Sequence, residues 1–165
     1  MIDQILDLMT PEDILAKTEF DKAFPILPER FPTFDHLLEY KREVRDLILL
    51  PVKSDEMRAH YNSLDKAVLL KDLAEKMGDC HLYFDANEYP YLVPEGTDQQ
   101  ILWIRDPSAS RQMIATYLAF LVKMGDLPSK LDEVILFERP MRTETKLVKG
   151  TFPAMRHLHV WTRKS

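Results

Sequence analysis

The stretch QILWIRDPSASRQMIATYLAFLVKMG, residues 100–125, decides the fold because its hydrophobic period changes part-way along it. Gln100–Arg105 is rich in β-branched and aromatic side chains and is closed by Asp106 and Pro107, which predicts a short strand. Beyond Asp106 the apolar residues recur at helical spacing up to Gly125. We therefore predict a strand followed by a helix, with Asp106 as the N-cap of that helix.

Three further runs have the same strand-like composition and are bounded by Gly, Pro, Asp or Asn. They are Cys80–Asp85 (CHLYFD), Glu133–Glu138 (EVILFE) and Arg156–Arg163 (RHLHVWTR). Together with the strand and helix above, they give the order β-β-α-β-β over residues 79–165. The sequence thus predicts a small mixed or antiparallel sheet of about four strands.

The residues before Gly78 have the period of helices rather than of strands. Thr33 is predicted to cap a helix that runs to about Leu50. Shorter helices are predicted after Ser54 and Ser63, and Gly78 suits the left-handed conformation that ends a helix.

The chain has 165 residues, about the length of one domain. We predict a single α+β domain over residues 1–165, in which a helical N-terminal half packs on the sheet. It divides into an acidic, proline-rich arm (1–32), a helical part (33–78) and the β-β-α-β-β part (79–165).

The composition argues against several classes of function. The net charge is −5, which argues against a wholly basic nucleic-acid binder. No apolar run approaches the ~18 residues of a membrane span, and the acidic first residues lack the basic region of a secretory signal. The single cysteine, Cys80, cannot form an internal disulfide, which predicts a cytoplasmic protein. The four glycines are too few for a glycine-rich nucleotide cradle, and we predict no cofactor.

Charge is unevenly distributed along the chain. Residues 1–32 hold seven acidic side chains against three basic ones, whereas residues 139–165 hold seven basic side chains against Glu144 alone. This asymmetry indicates an anion-binding C-terminal end, an acidic head that lies against a basic tail, or two solvated segments.

The side chains of the last predicted strand alternate between two faces. His157, His159, Trp161 and Arg163 point one way, and the residues between them suit a core. In the strand of residues 100–105, Trp103 and Arg105 also share a face. One sheet face is therefore predicted to carry two imidazoles, two indoles and a guanidinium, a combination typical of a binding cleft.

Three interpretations of the His-x-His pair stay open. His157 and His159 can bind a metal ion with a third ligand from His81, Asp85 or Glu138, although no spacing requires any of these. The pair can instead supply acid–base or anion-binding groups, because histidine titrates near neutral pH. The third interpretation is a pair of hydrogen-bonded structural histidines.

Two loops are expected to add groups to this face. The connection between the first two strands, of about fourteen residues, exceeds the usual hairpin length and carries Asn87, Tyr89 and Tyr91. Its tyrosines predict either a stiff wall for a ligand or a cover for the core. The loop after the third strand holds Arg139 and Lys146, which predict an anion-binding rim.

Four segments together resemble the domain of unknown function found in fungal N-acetylglucosamine-induced proteins. They are Asn87–Tyr91, Ile101–Arg105, Glu138–Pro140 and Arg156–Trp161. The resemblance covers roughly residues 60–163 and consists of loosely spaced residues without a contiguous signature. It implies a compact cytosolic protein linked to amino-sugar or nucleotide-sugar metabolism, and it implies no established reaction.

The chain departs from that family at two places. The family often has a histidine at the start of the tryptophan-containing strand, where this chain has Gln99 and Gln100. Arg139-Pro140 stands where the family has Asn-Pro. Either change could alter a ligand site.

Our leading hypothesis is a protein that binds a phosphorylated or nucleotide-sugar-like anionic metabolite in a cleft, with enzymatic activity left open. One alternative is a protein-interaction module that uses the basic segment 139–164, and another is a metal-dependent hydrolase that uses His157 and His159. The predicted acid–base residues are His157 and His159, and the predicted ligand contacts are Asn87, Tyr89, Tyr91, Trp103, Arg105, Arg139, Lys146 and Trp161.

Overall fold

The computed structural model describes residues 24–26, 29–43, 49–130, 133–137 and 155–165. The predicted α+β class and the β-β-α-β-β order of the C-terminal half are confirmed. In chain order the elements are β1 (Phe24–Ile26), α1 (Phe34–Glu43), β2 (Leu49–Pro51), α2 (Asp55–Ser63), α3 (Lys66–Met77), β3 (Leu82–Ala86), β4 (Thr97–Ile104), α4 (Arg111–Lys123), β5 (Ile135–Phe137) and β6 (Arg156–Arg163).

The main sheet has four strands in the order β3-β4-β6-β5, and every neighbouring pair is antiparallel. The two long strands, β4 and β6, pair along their whole length, from Thr97 opposite Arg163 to Ile104 opposite Arg156. A separate two-stranded pair joins β1 to β2 in parallel. The antiparallel form of the predicted sheet is therefore the one observed.

One face of the main sheet packs on α4. Leu102 of β4 and Leu158 and Val160 of β6 are buried against Ile114 and Leu118 of the helix. These residues occur at alternate positions in the strands and at helical spacing in α4, so burial follows from the two periods.

The opposite face of the sheet carries the odd-numbered residues of β4 and β6. Register pairs Trp103 with His157, Ile101 with His159, and Gln99 with Trp161. Residues of helices α1, α2 and α3 pack on this side together with residues of the strands and loops, and they form two clusters. The first cluster contains Phe31, Phe34, Leu37, Leu38, Ile135 and Trp161, and the second contains Tyr61, Leu73, Met77 and Met155.

The predicted helix from Thr33 to about Leu50 is wrong at its C-terminal end. Helix α1 spans Phe34–Glu43, and Leu49 and Leu50 belong to β2, where they pair with β1. Strand pairing with a distant segment has overridden the local helical pattern, as tertiary context often does.

Two predicted helix starts lie nearer the N-terminus than the observed ones. Ser110, not Asp106, caps α4, and its hydroxyl accepts a backbone N–H of the first turn at 3.1 Å. Asp106 instead accepts hydrogen bonds from the N–H and hydroxyl of Ser108 and closes a turn before the helix. Asp65, not Ser63, caps α3.

Several predicted features lie outside the described residues. These include residues 1–23 of the acidic arm and the basic loop with Arg139 and Lys146, together with Glu138. None of the helices in the described part of the chain is long and apolar enough to span a membrane.

Leu118→Ala is expected to lower the free energy of unfolding by about 2–5 kcal/mol, because Leu118 is fully buried between α4 and the sheet. The matched change Met113→Ala, on the same helix at 49% exposure, is expected to cost about 0.5 kcal/mol or less. Denaturant titration measures both values. Equal losses for the two variants would contradict the assignment of this core.

Candidate functional site

A cavity of about 550 Å³ lies over the sheet face opposite α4. Its floor consists of Ile101 and Trp103 of β4 and His157 and His159 of β6. Its walls come from Lys53, from α2 and α3, from the end of β3, and from the loop between β3 and β4. The wall residues are Lys53, Tyr61, Leu69, Asp72, Leu73, Glu75, Lys76, Asp85, Ala86, Asn87, Glu88, Tyr89 and Tyr91.

The two imidazoles lie side by side at the floor of the cavity. Their ring centroids are 5.0 Å apart, and the residues are 5% and 2% exposed for His157 and His159 respectively. The ring of His157 lies 4.9 Å from that of Trp103, and His159 stacks on Phe137 at 4.9 Å. Both imidazoles therefore line a cavity while being shielded from bulk solvent.

One hydrogen bond fixes the tautomer of His157. Its Nδ1 atom lies 3.0 Å from the carbonyl oxygen of Met155. A carbonyl oxygen can only accept, so Nδ1 carries the hydrogen and donates it. In the neutral ring Nε2 is then a hydrogen-bond acceptor.

Aromatic rings from separate elements form one wall. The rings of Tyr61 in α2 and Tyr89 in the β3–β4 loop lie 5.3 Å apart, and Tyr91 contacts His159 edge-on at 5.3 Å. With Trp103, these rings offer broad apolar faces to a ring-shaped ligand.

Lys53 supplies a positive charge to the cavity. Its Nζ atom lies 3.8 Å from the ring centroid of Tyr61 and 5.1 Å from that of Tyr91. These cation–π contacts hold the ammonium group at the wall. No local motif in the sequence marks Lys53 or Tyr61 as a site residue, because only the packing of α2 and the loop brings them to the sheet.

Carboxylates line the side formed by α3, the end of β3 and the loop that follows it. Glu88 accepts a hydrogen bond from Lys76 at 2.6 Å, and this bond raises the pKa of Lys76. Asp85 accepts hydrogen bonds from a tyrosine hydroxyl and from a neighbouring backbone N–H. Asp72 and Glu75 of α3 complete this acidic side, so the charge of the lining is mixed.

The structure brings most of the predicted site residues together. Those that line the cavity are Asn87, Tyr89, Tyr91, Trp103, His157 and His159. Arg139 and Lys146 lie outside the described residues. The strand parity that grouped the histidines with Trp103 therefore corresponds to the observed register, while the roles of these residues stay predictions.

Two predicted ligand contacts lie elsewhere. Trp161 is on the predicted face but is fully buried under α1, where it contacts Phe137 edge-on at 5.0 Å. Arg105 follows the end of β4, and its guanidinium donates a hydrogen bond to the carbonyl oxygen of Gly78 at 2.8 Å. Neither residue lines the cavity, so Trp161 contributes to the core and Arg105 joins two loops.

The two described arginines of the C-terminal segment, Arg156 and Arg163, make internal contacts. Arg156 donates a hydrogen bond to the carbonyl oxygen of Ala109 at 2.8 Å. Arg163 forms ion pairs with Asp35 at 2.5 Å and with Glu133 at 3.5 Å. In the described part of this segment, these side chains therefore join the tail to its own domain.

The metal-site interpretation has no third ligand among the residues that the structure describes. No group of three or more His, Cys, Asp or Glu side chains in those ranges could hold a metal ion. Asp85 lines the cavity, His81 is exposed next to β3, and Glu138 lies outside the described ranges.

Comparison with known proteins identifies neither a family nor a function for this chain. No family model matches this sequence, and no curated protein matches it. A solved structure described as "Crystal Structure of HTC1" is similar with a TM-score of 0.43 and 15% identity, over 79% of this chain and 83% of that chain. Similarity at this level does not establish a shared function, and the resemblance to the N-acetylglucosamine-induced proteins stays a prediction.

Burial, together with the neighbouring phenols of Tyr91 and Tyr89, raises the pKa of Tyr61 to about 12. In the unfolded chain tyrosine ionises near pH ~10, so between the two values the folded state retains a proton that the unfolded state has lost. The contribution of this proton to the free energy of unfolding is fully present below about pH 10 and is lost as the pH rises to about 12. Unfolding free energies at steps from pH 9 to 12 are therefore expected to fall less steeply for Tyr61→Phe than for the wild type, whereas parallel curves would argue against this environment.

Proposed function

We propose that this protein binds a phosphorylated sugar or a nucleotide-sugar-like metabolite in the cavity over the β4–β6 face. The observation that carries the proposal is the meeting of an aromatic wall, a buried imidazole pair and Lys53 around one cavity. The volume, about 550 Å³, lies within the range of about 300–1,000 Å³ typical of small-molecule sites.

The aromatic residues support recognition of a ring. Tyr89, Tyr91 and Trp103 present apolar faces on which a sugar or a base can stack, and such rings are typical of ligand sites that carry few polar groups. Asp72 and Glu75 can accept hydrogen bonds from sugar hydroxyls, because an ionised carboxylate is an acceptor only.

The anionic group of the ligand is assigned to the neighbourhood of Lys53. The ammonium group lies at the tyrosine wall, in the same lining as the two imidazoles. A charge-assisted hydrogen bond from Lys53 to a phosphate oxygen is stronger than a neutral one. This assignment replaces Arg105 as the anion-binding residue.

The imidazoles can act on a ligand hydroxyl. Because Nδ1 of His157 donates to Met155, Nε2 is the nitrogen that can accept a hydrogen bond from the ligand or remove its proton. Binding requires only the hydrogen bond, whereas a transferase or hydrolase acting on a phosphorylated sugar would use the proton transfer. The resemblance to the N-acetylglucosamine-induced proteins agrees with a ligand from amino-sugar or nucleotide-sugar metabolism.

Calorimetric titration with uridine diphosphate glucose, glucose 6-phosphate and glucose tests the proposal. At least one of the two phosphate-bearing probes is expected to bind, and glucose is expected to bind more weakly. Lys53→Met should weaken binding of the phosphate-bearing probe by about 10- to 100-fold, because a hydrogen bond to a charged group contributes about 1.5–3 kcal/mol.

The matched control is Lys71→Met, since Lys71 is exposed on α3 and does not line the cavity. This variant is expected to bind like the wild type. The proposal is refuted by a wild-type protein that binds neither phosphate-bearing probe, or by equal losses of affinity in the two lysine variants.

A further inference from the structure

Gln99 forms two hydrogen bonds with the backbone of a single cavity residue. Its side-chain oxygen accepts the N–H of Tyr91 at 2.9 Å, and its side-chain nitrogen donates to the carbonyl oxygen of Tyr91 at 3.0 Å. A primary amide is the side chain that carries a donor and an acceptor on one rigid plane, so it can satisfy both backbone groups at once. Gln99 therefore fixes both the position and the orientation of the Tyr91 peptide groups.

A second backbone contact extends this restraint to Lys53. The residue after Tyr91, Leu92, donates its N–H to the carbonyl oxygen of Val52 at 2.8 Å, and the two residues form an isolated antiparallel bridge. Lys53 follows Val52 directly, and its ammonium group lies 5.1 Å from the Tyr91 ring. The Gln99 amide thus connects strand β4 to the loop at Tyr91, and the loop is connected at Leu92 to the residue before Lys53.

The other contacts of Tyr91 explain why this restraint matters to the cavity. Its ring meets His159 edge-on at 5.3 Å, so the tyrosine joins the floor to the wall. The β3–β4 loop, by contrast, is a long connection whose conformation local sequence does not fix. A ligand that binds between Tyr91, Lys53 and the imidazoles meets a preformed wall only if the loop is held in place.

We propose that Gln99 is a positioning residue for the cavity, which holds Tyr91 and, through it, Lys53 in the geometry that recognises the ligand. The expected effect on ligand affinity rests on the proposed function. The positioning of Tyr91 by Gln99 does not depend on any ligand.

The test compares Gln99→Met with Gln100→Met. Methionine has nearly the shape of glutamine but neither hydrogen-bonding group. Gln100 is the adjacent residue on the opposite face of β4, and it accepts one hydrogen bond, from Thr162 at 3.3 Å. The control variant therefore loses a side-chain hydrogen bond in the same strand without touching the loop.

Amide hydrogen exchange, measured without ligand, is the first measurement. Gln99→Met is expected to increase the exchange rates of the Tyr91 and Leu92 amides about tenfold or more, because exchange reports the free energy of local opening. The Asn87 amide, which donates to the backbone oxygen of Gln99, should be unchanged. Gln100→Met should leave all three amides at wild-type rates.

Affinity for uridine diphosphate glucose and for glucose 6-phosphate is the second measurement. Gln99→Met is expected to weaken binding about tenfold at a melting temperature similar to that of Gln100→Met, since loss of preorganisation lowers affinity without removing a ligand contact. In Gln99→Glu a carboxylate can still accept the Tyr91 N–H but cannot donate to its carbonyl, so an intermediate affinity is expected.

The outcomes separate this proposal from the proposed function. Wild-type exchange at Tyr91 and Leu92 in Gln99→Met would overturn the positioning role whether or not a ligand binds. Faster exchange with unchanged affinity for a probe that does bind would overturn its importance for recognition. If neither probe binds the wild type, the proposed function fails and the exchange rates alone decide whether Gln99 positions the loop.

Discussion

The antiparallel pairing of β4 with β6 is the constraint on which the other features depend. Because the pairing runs the full length of both strands, its register decides which side chains face α4 and which face the cavity. A slip of one residue would turn the imidazoles of His157 and His159 toward the α4 core and bring Leu158 into the cavity. The dense packing of Leu102, Leu158 and Val160 on α4 opposes such a slip.

The face opposite α4 is divided between core and cavity. Toward the Trp161 end, α1 covers the sheet with Phe34 and Leu37, and the indole is excluded from solvent. Toward the Trp103 end, the helices do not fill the space above the sheet. The cavity lies there, and the imidazoles form part of its floor. The same strand thus contributes to the core at one end and lines the cavity at the other, and the position of α1 determines the division.

The charged residues are where the structure differs most from the expectations drawn from the sequence. Arg105 bonds a carbonyl, Arg156 bonds a helix-start carbonyl, and Arg163 pairs with Asp35 and Glu133. From the sequence alone, these arginines are expected to be available to bind anions. In the folded protein their guanidinium groups bond to internal partners instead. Two lysines line the cavity: Lys76 is paired with Glu88, whereas the position of Lys53 depends on contacts with Tyr61 and with the loop that Gln99 bonds.

The sequence by itself determined the α+β class, the order of strands and helix after Gly78, and the grouping of His157, His159 and Trp103 on one face. Each of these follows from a local period of 2.0 or 3.6 residues, which a chain carries before it folds. Only the tertiary structure decided that Leu49 and Leu50 pair as a strand, that Trp161 is covered, and that Lys53 and Tyr61 complete the cavity. Those outcomes depend on contacts between segments far apart in the chain, and no local pattern encodes which distant surfaces will meet.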